Sequence, residues 1–284
     1  MKKIVVTGAS GLVGSRIVEL LSGKFDFYPL SLKEMDITDK DSVHNTLSSL
    51  SYDLILHLAG YTFVDGAEKE QNKAYLINET GTKNLIDVSS SAKKQFIYIS
   101  TDFVFDGINP PYTEVSVPNP ISVYGASKLA GEKAVGTNGM IVRISYPYRA
   151  TFDLKKDIVR SLKNILEAGK PLSMVEDSLM VPTFIDDIAE GLGFLMNNYS
   201  CEVHHLVGGD AMSPFALAKT IAHAFHFDEN LVEKITYEKY FENKAKAPQY
   251  SDIQSKKNTF YPMHTFEEGL SIIKKQLRDR SLTI

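Results

Sequence analysis

The sequence predicts an α/β protein built on a doubly wound parallel sheet, and two observations carry that prediction. Short apolar runs alternate along the chain with longer amphipathic segments, which indicates strands joined by crossover helices. The apolar runs are continuous rather than alternating in polarity, as expected for strands of a sheet covered by helices on both faces. A sheet of this kind binds ligands beyond the carboxyl ends of its strands.

The first 147 residues contain five predicted strands and four predicted helices. The run Ile4–Val6 is β-branched and ends at Thr7-Gly8, which favours a buried strand. Four more apolar runs follow, at 25–30, 53–58, 95–100 and 140–145. Apolar residues recur at helical spacing between the runs, at 14–22, 41–50, 67–91 and 124–135. Each of the first four strands is therefore followed by a helix that can return the chain to a parallel neighbour.

The pattern weakens after about residue 148. Helices are predicted at 154–168, 184–197, 213–225 and 265–277, and a strand at 203–207 is expected to return to the sheet. We therefore predict a main domain over 1–147, to which 184–207 returns. Residues 148–183 and 208–284 are predicted to form a smaller, interleaved C-terminal lobe.

Length and composition narrow the class of protein. The chain has 284 residues and a formal net charge of -4, so no attraction to nucleic acid is expected. No apolar run approaches the ~18 residues of a membrane helix, and the single Cys201 cannot form an internal disulfide. A cytoplasmic protein with no membrane partner is predicted. The histidines lack metal-ligand spacing, so no metal is predicted, and His57 is expected to be a hydrogen-bonded core residue.

A glycine motif follows the first strand directly. Gly8, Gly11 and Gly14 have the spacing Gly-x-x-Gly-x-x-Gly and open the first predicted helix. Gly8 permits the tight turn out of the strand, Gly11 lets the backbone approach a pyrophosphate, and Gly14 lets the helix pack closely on the sheet. The free N–H groups of that helix then point at the phosphates. The motif predicts a Rossmann-type dinucleotide-binding domain over residues 1–147.

The end of the second strand bears on the choice between NADP(H) and NAD(H). An acid commonly stands there and binds both ribose hydroxyls of NAD. Here Ser31 and Lys33 occupy the region, and a hydroxyl with a lysine favours the 2′-phosphate of NADP(H). Glu34 keeps NAD(H) as an alternative, and Asp36 with Ile37 lies where an adenine edge could be bound.

Two further segments supply groups for carbonyl chemistry. Tyr124 and Lys128 stand at i and i+4 on a predicted helix and so share one face. A tyrosine normally titrates near ~10, and the charge of Lys128 would lower that pKa and make Tyr124 a usable general acid. Thr101, at the end of the fourth strand, could donate a hydrogen bond to the same carbonyl oxygen. These three residues are the predicted catalytic residues.

Several stretches resemble the extended short-chain dehydrogenase/reductases, and among them the dTDP-4-dehydrorhamnose reductases. The stretches are 7–14, 59–68, 78–85, 100–107, 124–132 and 182–184. The resemblance implies an NAD(P)-dependent oxidoreductase of dTDP-rhamnose biosynthesis, which reduces the 4-keto group of a nucleotide-linked 6-deoxy sugar. Tyr124 would then protonate the oxygen, Thr101 would orient it, and Lys128 would hold the cofactor ribose. Phe103 stands where the 4,6-dehydratases that resemble this fold carry an acid, so a dehydratase is not expected.

The motifs and the resemblance together give two sets of binding residues. The predicted cofactor-binding residues are Gly8, Ser10, Gly11, Leu12, Val13, Gly14, Ser31, Asp36, Ile37, Leu58, Ala59, Gly60, Tyr61, Asn78, Ser100, Tyr124 and Lys128. The predicted substrate-binding residues are Thr62, Val64, Asp102, Phe103 and Tyr146, and the C-terminal lobe is expected to complete the substrate site.

Three departures from the family pattern fall on the substrate side. Tyr146 stands where the family carries tryptophan, Met180 replaces a glycine, and Ala247 replaces an arginine. Lys244 or Lys246 would then have to supply the phosphate-binding charge. Two alternatives therefore stay open: another sugar-nucleotide epimerase or reductase, and a non-catalytic regulatory subunit like that of methionine adenosyltransferase. The predicted partner is a nucleotide-sugar substrate, and a homodimer is the assembly considered.

Overall fold

A computed structural model describes residues 1–281 of the chain. The strands are β1 Lys3–Thr7, β2 Asp26–Leu30, β3 Leu54–His57, β4 Gln95–Thr101, β5 Met140–Ile144, β6 Pro147–Tyr148, β7 Leu172–Val175, β8 Thr183–Phe184, β9 Val203–His205 and β10 Val232–Ile235. The helices are α1 Gly14–Leu21, α2 Lys40–Ser48, α3 Val64–Lys69, α4 Gln71–Tyr75, α5 Gly81–Ser91, α6 Val123–Val135, α7 Ile158–Glu167, α8 Ile185–Asn197, α9 Pro214–Phe225, α10 Tyr237–Tyr240 and α11 Phe266–Ser281. A π-helical stretch, Leu76–Thr80, joins α4 to α5, and 3-10 turns span Asp102–Val104 and Glu229–Leu231.

Six strands form one parallel sheet in the order β2-β1-β3-β4-β5-β9. Strand order reverses beside β1, as in doubly wound sheets. The predicted α/β class with a parallel central sheet is therefore confirmed. Strand β9 joins the edge of the sheet by pairing with β5, far along the chain from the other five strands.

Helices cover both faces of this sheet, which explains the continuous apolar strands. On one face Ile17 and Leu21 of α1 pack with Ile188 and Leu192 of α8. On the other face the apolar side chains of α2 and α5 form a second core with the sheet. All of these side chains are almost fully buried, so each strand needs apolar residues at successive positions.

The C-terminal half builds a third core of its own. Side chains of α7, α9 and α11 pack there with two short parallel pairs, β10-β7 and β6-β8. Because α8 packs on the large sheet and β9 belongs to it, the third core is interrupted along the chain. The division into a dinucleotide-binding domain and a substrate-binding lobe stays a prediction.

The predicted helix at 67–91 is divided in the structure. Glu70 leaves helical geometry with φ -112° and ψ 47°, which separates α3 from α4. The π-helical stretch then adds one residue to a turn before α5, an irregularity that is frequent at functional sites. The helix predicted from 154 begins only at Ile158, because Asp157 caps it by accepting a hydrogen bond from the Arg160 N–H at 2.9 Å.

Three further observations on residues 1–281 concern membrane spans, metal ligands and the single cysteine. None of the helices within residues 1–281 has both the length and the apolar character needed to cross a membrane. In the same range no three histidine, cysteine, aspartate or glutamate side chains are grouped so as to hold a metal ion. Cys201 is exposed and has a free thiol.

Candidate active site

One cavity of about 900 Å³ opens at the carboxyl ends of the central strands. Thr7, Leu58, Thr101 and Ile144, at the ends of β1, β3, β4 and β5, all line it. This is the edge at which doubly wound sheets bind ligands. The C-terminal lobe contributes residues 155–158 to the lining, so the cavity lies between the sheet and the lobe.

Most of the predicted site residues line this cavity together. From the predicted cofactor set these are Gly8, Ser10, Gly11, Leu12, Val13, Gly14, Ser31, Asp36, Ile37, Leu58, Ala59, Gly60, Ser100, Tyr124 and Lys128. Thr101 and all five predicted substrate residues line it as well. The fold thus gathers residues from distant segments around one space.

The glycine loop lies too close to its neighbours for any larger residue. Gly8 has φ +71°, and a Cβ there would lie 2.6 Å from the Ala59 nitrogen. A Cβ on Gly14 would overlap the Gly8 carbonyl oxygen. The loop therefore runs directly against the end of β3, and α1 begins at once at the cavity edge.

The groups around the loop fit a dinucleotide cofactor. Helix α1 follows Val13, whose side chain makes no capping hydrogen bond. The N–H groups of Ser15 and Arg16 donate to backbone carbonyl oxygens at 3.1 Å, so the N–H groups left for a ligand are those that precede Ser15. These groups and the positive end of the helix dipole favour phosphate. Ser100 Oγ is buried at the cavity wall and has no hydrogen-bond partner within residues 1–281. A buried hydroxyl of this kind suits a polar ligand atom.

The end of β2 carries a carboxylate where a 2′-phosphate was expected. Glu34 Oε2 accepts a hydrogen bond from the Ser31 N–H at 2.7 Å, and the hydrogen bonds with Ser31 lower the pKa of the Glu34 carboxyl. Ser31 lines the cavity, whereas Lys33 does not. Asp36 Oδ1 accepts hydrogen bonds from the Thr38 N–H and hydroxyl. A negative charge therefore stands next to Ser31.

A close contact at the start of α6 positions Tyr124 beside the turn after β4. Ser122 caps the helix by accepting a hydrogen bond from the Gly125 N–H at 3.2 Å. A Cβ on Gly125 would overlap the Phe103 carbonyl oxygen, so glycine permits the helix to approach the turn after β4. The rings of Tyr124 and Phe103 then meet edge to face, with 5.4 Å between their centroids.

Lys128, one turn further along α6, is buried at the cavity wall. Its Nζ donates a hydrogen bond to the Ile99 carbonyl oxygen at 2.7 Å and lies 4.0 Å from the centre of the Tyr98 ring. Burial lowers the pKa of Lys128 to about 7, and the Glu132 carboxylate acts in the opposite direction. This ammonium is therefore poised between its charged and neutral forms at neutral pH.

The predicted lowering of the Tyr124 pKa by Lys128 is wrong for this arrangement. Burial is the largest cause and raises the pKa of Tyr124 to about 12, while the Thr101 hydroxyl lowers it and the Asp102 charge raises it. The Lys128 ammonium is directed at the Ile99 carbonyl oxygen and not at the phenol. Tyr124 is consequently a protonated phenol at neutral pH, which suits a proton donor.

Asp102 is a buried carboxylate beside Thr101. Its Oδ1 accepts a hydrogen bond from the Thr101 hydroxyl at 3.1 Å, and its Oδ2 accepts one from the Ser251 hydroxyl at 2.6 Å. Burial raises the pKa of Asp102, and these hydrogen bonds lower it. The Phe103 N–H donates to Thr101 Oγ1 at 3.3 Å. Since the single proton of Thr101 points at Asp102, the hydroxyl would have to rotate before it could donate to a substrate carbonyl.

The substrate side of the cavity is aromatic. Phe103 packs against both Tyr124 and Tyr146, with ring centroids 5.4 and 6.1 Å apart. Tyr146 has φ 37°, a left-handed conformation that costs a non-glycine residue about 1–3 kcal/mol. Burial raises the pKa of the Tyr146 phenol well above its ordinary value. The strained backbone holds this ring at the cavity.

Two predicted cofactor residues, Tyr61 and Asn78, do not line the cavity. The Tyr61 hydroxyl donates to Glu70 Oε2 at 2.6 Å. Asn78 is buried in the π-helical stretch, where its Oδ1 accepts from the Tyr61 N–H at 2.8 Å and its Nδ2 donates to the Tyr61 carbonyl oxygen at 3.1 Å. Asn78 thus shapes the backbone of the turn after β3, a role that a sequence motif does not distinguish from direct ligand contact.

A buried hydrogen-bond chain supports the same turn. His57 Nδ1 lies 2.7 Å from Thr7 Oγ1 and its Nε2 lies 3.0 Å from Thr82 Oγ1. Thr82 gives its own proton to the Asn78 carbonyl oxygen, so it accepts from His57 Nε2–H, and His57 Nδ1 accepts from Thr7. Burial lowers the pKa of His57 to about 3, which keeps the ring neutral. The predicted core histidine is confirmed.

Three lysines that the sequence did not single out line the cavity: Lys73, Lys155 and Lys156. Lys155 reaches across from the C-terminal lobe, and its Nζ donates to Thr62 Oγ1 at 3.0 Å. Lys244 and Lys246, the predicted phosphate-binding lysines, do not line the cavity, and Lys244 Nζ stacks on the Tyr240 ring. Lys155 lies in the part of the predicted helix 154–168 that is irregular in the structure, so nothing in the sequence marked it as a cavity residue.

Almost the whole chain matches a family of known proteins. The family model described as the RmlD substrate binding domain matches residues 1–278. The chain belongs to the RmlD family. Its predicted resemblance to the dTDP-4-dehydrorhamnose reductases is therefore confirmed.

Solved and curated relatives of this RmlD-family chain include two reductases. The structure of the dTDP-4-dehydrorhamnose reductase of Bacillus anthracis in complex with NADP is 32% identical, has a TM-score of 0.90, and covers 97% of this chain and 100% of that chain. The dTDP-4-dehydrorhamnose reductase of Aggregatibacter actinomycetemcomitans is 29% identical over 247 residues, which are 83% of this chain and 81% of the relative.

A third relative of the RmlD-family chain bears on the regulatory alternative. The methionine adenosyltransferase 2 subunit beta of Rattus norvegicus is 27% identical over 252 residues, which are 83% of this chain and 75% of the relative. This identity is close to that of the reductases. Overall similarity therefore does not separate the two functions, and the arrangement of the cavity has to do so.

Proposed function

We propose that this RmlD-family protein is an NADP(H)-dependent oxidoreductase that reduces the 4-keto group of a nucleotide-linked 6-deoxy sugar in dTDP-L-rhamnose biosynthesis. One observation carries the proposal. Thr101, Tyr124 and Lys128 line the same cavity as the glycine loop. A phenol, a hydroxyl and an ammonium beside a dinucleotide site are the groups that carbonyl reduction requires.

The cofactor side uses backbone groups of the glycine loop. Gly8, Gly11 and the first turn of α1 would hold the pyrophosphate, and Ser31 would meet the adenosine ribose. Lys128 would bind the hydroxyls of the nicotinamide ribose. When bound, the reduced nicotinamide supplies the hydride that the ketone carbon receives. NADP(H) is the cofactor proposed, because the Bacillus anthracis relative is solved with NADP, and NAD(H) is the alternative.

Tyr124 is the proposed proton donor. Because burial keeps its phenol protonated, Tyr124 can donate to the ketone oxygen as negative charge develops there. Thr101 lies close enough to Tyr124 for its hydroxyl to affect the phenol pKa, so the two groups can contact one substrate oxygen.

The substrate side combines aromatic and cationic groups. Phe103 and Tyr146 offer apolar faces to the 6-deoxy sugar. Lys155 and Lys156 bring positive charge to the same cavity, which suits the diphosphate of a sugar nucleotide. A cytoplasmic location and a homodimer are further parts of the proposal, and sedimentation of the purified protein tests the homodimer.

One experiment tests the reductase directly. The purified protein is given dTDP-6-deoxy-4-keto-L-mannose with NADPH or NADH, and the absorbance of the reduced cofactor is followed, with Tyr124→Phe as the control. We expect rapid oxidation of NADPH by the natural protein and a loss of about 100-fold or more in kcat for Tyr124→Phe, the usual contribution of a general acid.

The opposite result would favour the regulatory alternative. A protein that binds NADPH tightly but oxidises none of it with the keto sugar would contradict the proposed reductase. The similarity to the methionine adenosyltransferase subunit would then be tested by adding that synthetase and measuring its association with the chain. The presence of Thr101, Tyr124 and Lys128 together at the cavity supports catalysis over the regulatory role.

A further inference from the structure

A chain of three buried side chains connects the C-terminal lobe to the proposed catalytic strand. Ser251 Oγ donates to Asp102 Oδ2 at 2.6 Å, and Thr101 Oγ1 donates to Asp102 Oδ1 at 3.1 Å. The exposed fractions of Ser251, Asp102 and Thr101 are 1%, 1% and 6%. Each carboxylate oxygen therefore has a protein hydroxyl as its partner in a place that water hardly reaches.

The segment that carries Ser251 is fixed in register against two other parts of the chain. The Ser251 N–H donates to the Leu179 carbonyl oxygen at 2.9 Å, and the Tyr250 N–H donates to the Gly107 carbonyl oxygen at 3.2 Å. Gly107 has φ +75°, and a Cβ there would overlap the backbone of this segment. Ser251 can reach Asp102 because the lobe segment is held this closely to the loop after β4.

We propose that Ser251 is a positioning residue for the reduction: by holding Asp102, it fixes the Thr101 side chain next to Tyr124, where the hydroxyl can turn to the ketone oxygen, and it makes proton transfer depend on docking of the lobe segment. The proposal rests on the proposed reductase function. Ser251 lies outside the cavity lining, so it acts through Asp102 and does not touch the substrate.

The hydrogen-bond inventory of the chain explains how Ser251 acts. The Thr101 hydroxyl has one proton, which goes to Asp102, while its oxygen accepts from the Phe103 N–H at 3.3 Å. Without Ser251, Asp102 Oδ2 would be a buried carboxylate oxygen with one partner fewer, which favours rotation or protonation of the carboxyl. Either change would shift Asp102 and, with it, the Thr101 side chain that is bonded to it. The expected loss is in the chemical step and not in the binding of substrate or cofactor.

The test compares kcat and KM for the keto sugar in Ser251→Ala with those of the natural protein. We expect kcat to fall about tenfold, the equivalent of one charge-assisted hydrogen bond, with KM and the NADPH dissociation constant changed less than about twofold. Ser251→Cys keeps a side chain of similar size and a weak donor. Its kcat should therefore lie between that of Ser251→Ala and that of the natural protein. The same comparison in an Asp102→Asn background should show almost no further loss on adding Ser251→Ala.

Ser255→Ala is the matched control. Ser255 stands on the same lobe segment and also donates its hydroxyl to a carboxylate, that of Glu114, which does not line the cavity. Ser255→Ala should lower the melting temperature as Ser251→Ala does, yet keep kcat.

Four outcomes would overturn the positioning role or its basis. Equal losses of kcat in Ser251→Ala and Ser255→Ala would reduce Ser251 to a structural residue, and an unchanged kcat in Ser251→Ala would remove the role altogether. If Ser251→Ala does not fold, Ser251→Cys decides, and natural kcat in that variant would count against the proposal. A natural protein that oxidises no NADPH with the keto sugar would instead overturn the reductase function itself.

Discussion

Burial sets the proton chemistry of the two central side chains. It raises the pKa of Tyr124 to about 12 and lowers the pKa of Lys128 to about 7, because each charged form loses solvation. Tyr124 therefore stays protonated and can donate a proton. Lys128 can change between its charged and neutral forms near neutral pH. The sequence predicts that these residues meet, but the direction of the Tyr124 shift depends on how deeply the fold buries it.

Glu34 gives a prediction about cofactor choice. Its carboxylate accepts from the Ser31 N–H at 2.7 Å, so its charge lies beside Ser31, which lines the cavity and would meet the adenosine ribose. Replacing Glu34 by Gln keeps the side-chain shape and removes the repulsion between its charge and a 2′-phosphate. We expect KM for NADPH to fall about fivefold and KM for NADH to change little. Steady-state kinetics with both cofactors measures this.

The control for the cofactor prediction is Glu242→Gln, because Glu242 is exposed and does not line the cavity. It should leave both KM values unchanged. A ratio of the NADPH and NADH constants that is the same in Glu34→Gln and in the natural protein would show that Glu34 turns away when the cofactor binds.

At the scale of elements, the segment between β6 and α7 joins the lobe to the cofactor loop. Arg149 Nη1 donates to the Leu12 carbonyl oxygen at 3.3 Å and to Ser15 Oγ at 2.9 Å. The other end of the segment is held by Asp157, which caps α7 and binds the Arg160 guanidinium at 2.8 Å. An irregular stretch of chain is thus fixed at both ends across the cavity.

Lys155 lies in the middle of this segment and yields the second prediction. Its Nζ reaches Thr62 Oγ1 at 3.0 Å from the opposite side of the cavity. Replacing Lys155 by Met removes a positive charge suited to the diphosphate of a sugar nucleotide. We expect KM for the keto sugar to rise about tenfold, the equivalent of one charge-assisted hydrogen bond, with KM for NADPH nearly unchanged.

Lys163→Met provides the comparison for Lys155→Met. Lys163 stands on α7 in an ion pair with Glu167 and does not line the cavity, so its loss should not alter either KM. If the KM for the keto sugar is the same in Lys155→Met and Lys163→Met, Lys155 does not bind the substrate and only holds its segment to Thr62.

At the scale of the whole molecule, a buried ion pair between β5 and α6 also contacts the returning strand β9. Arg143 on β5 binds Glu132 on α6 through two hydrogen bonds, at 2.9 and 2.6 Å. His205 on β9 donates from Nδ1 to the Gln254 carbonyl oxygen, so its Nε2 accepts from Arg143 Nη1 at 3.4 Å. Removing either charge would leave the other buried and unpaired, which is strongly destabilising.

Buried histidines give the third prediction, on acid stability. Burial lowers the pKa of His57 to about 3 and of His205 to about 4, both below the ordinary value of 6.5. Between these values and 6.5 the unfolded chain binds protons that the folded chain does not, so stability is lost as the pH falls below 6.5. We expect the free energy of unfolding to fall by about 1 kcal/mol per pH unit for each histidine, measured by urea unfolding from pH 7 to pH 4.5.

His223 offers the matched control for this measurement, since its side chain is 85% exposed. His223→Gln should keep the pH dependence of the natural protein, and His205→Gln should reduce its slope. A free energy of unfolding that does not change over this range would show that the buried histidines are protonated without unfolding.

The elements that the sequence predicted well are those governed by local rules. Continuous apolar runs gave the strands of the sheet, and the spacing of Gly8, Gly11 and Gly14 gave the turn into α1. The i, i+4 spacing of Tyr124 and Lys128 placed both on the cavity wall. The π-helical break in the helix predicted at 67–91 and the short pairs β6-β8 and β10-β7 were missed, because contacts with other segments fix them.

The sequence by itself determined the α/β class, the glycine turn and the identity of the proposed catalytic groups, because each depends on neighbours within a few residues. Only the tertiary structure decided that Ser251 holds Asp102, that Lys155 faces Thr62 and that Asn78 supports a turn instead of lining the cavity. These contacts join residues far apart in the chain, where periodicity carries no information. The direction of the Tyr124 and Lys128 pKa shifts belongs with them, because burial is a property of the packed molecule.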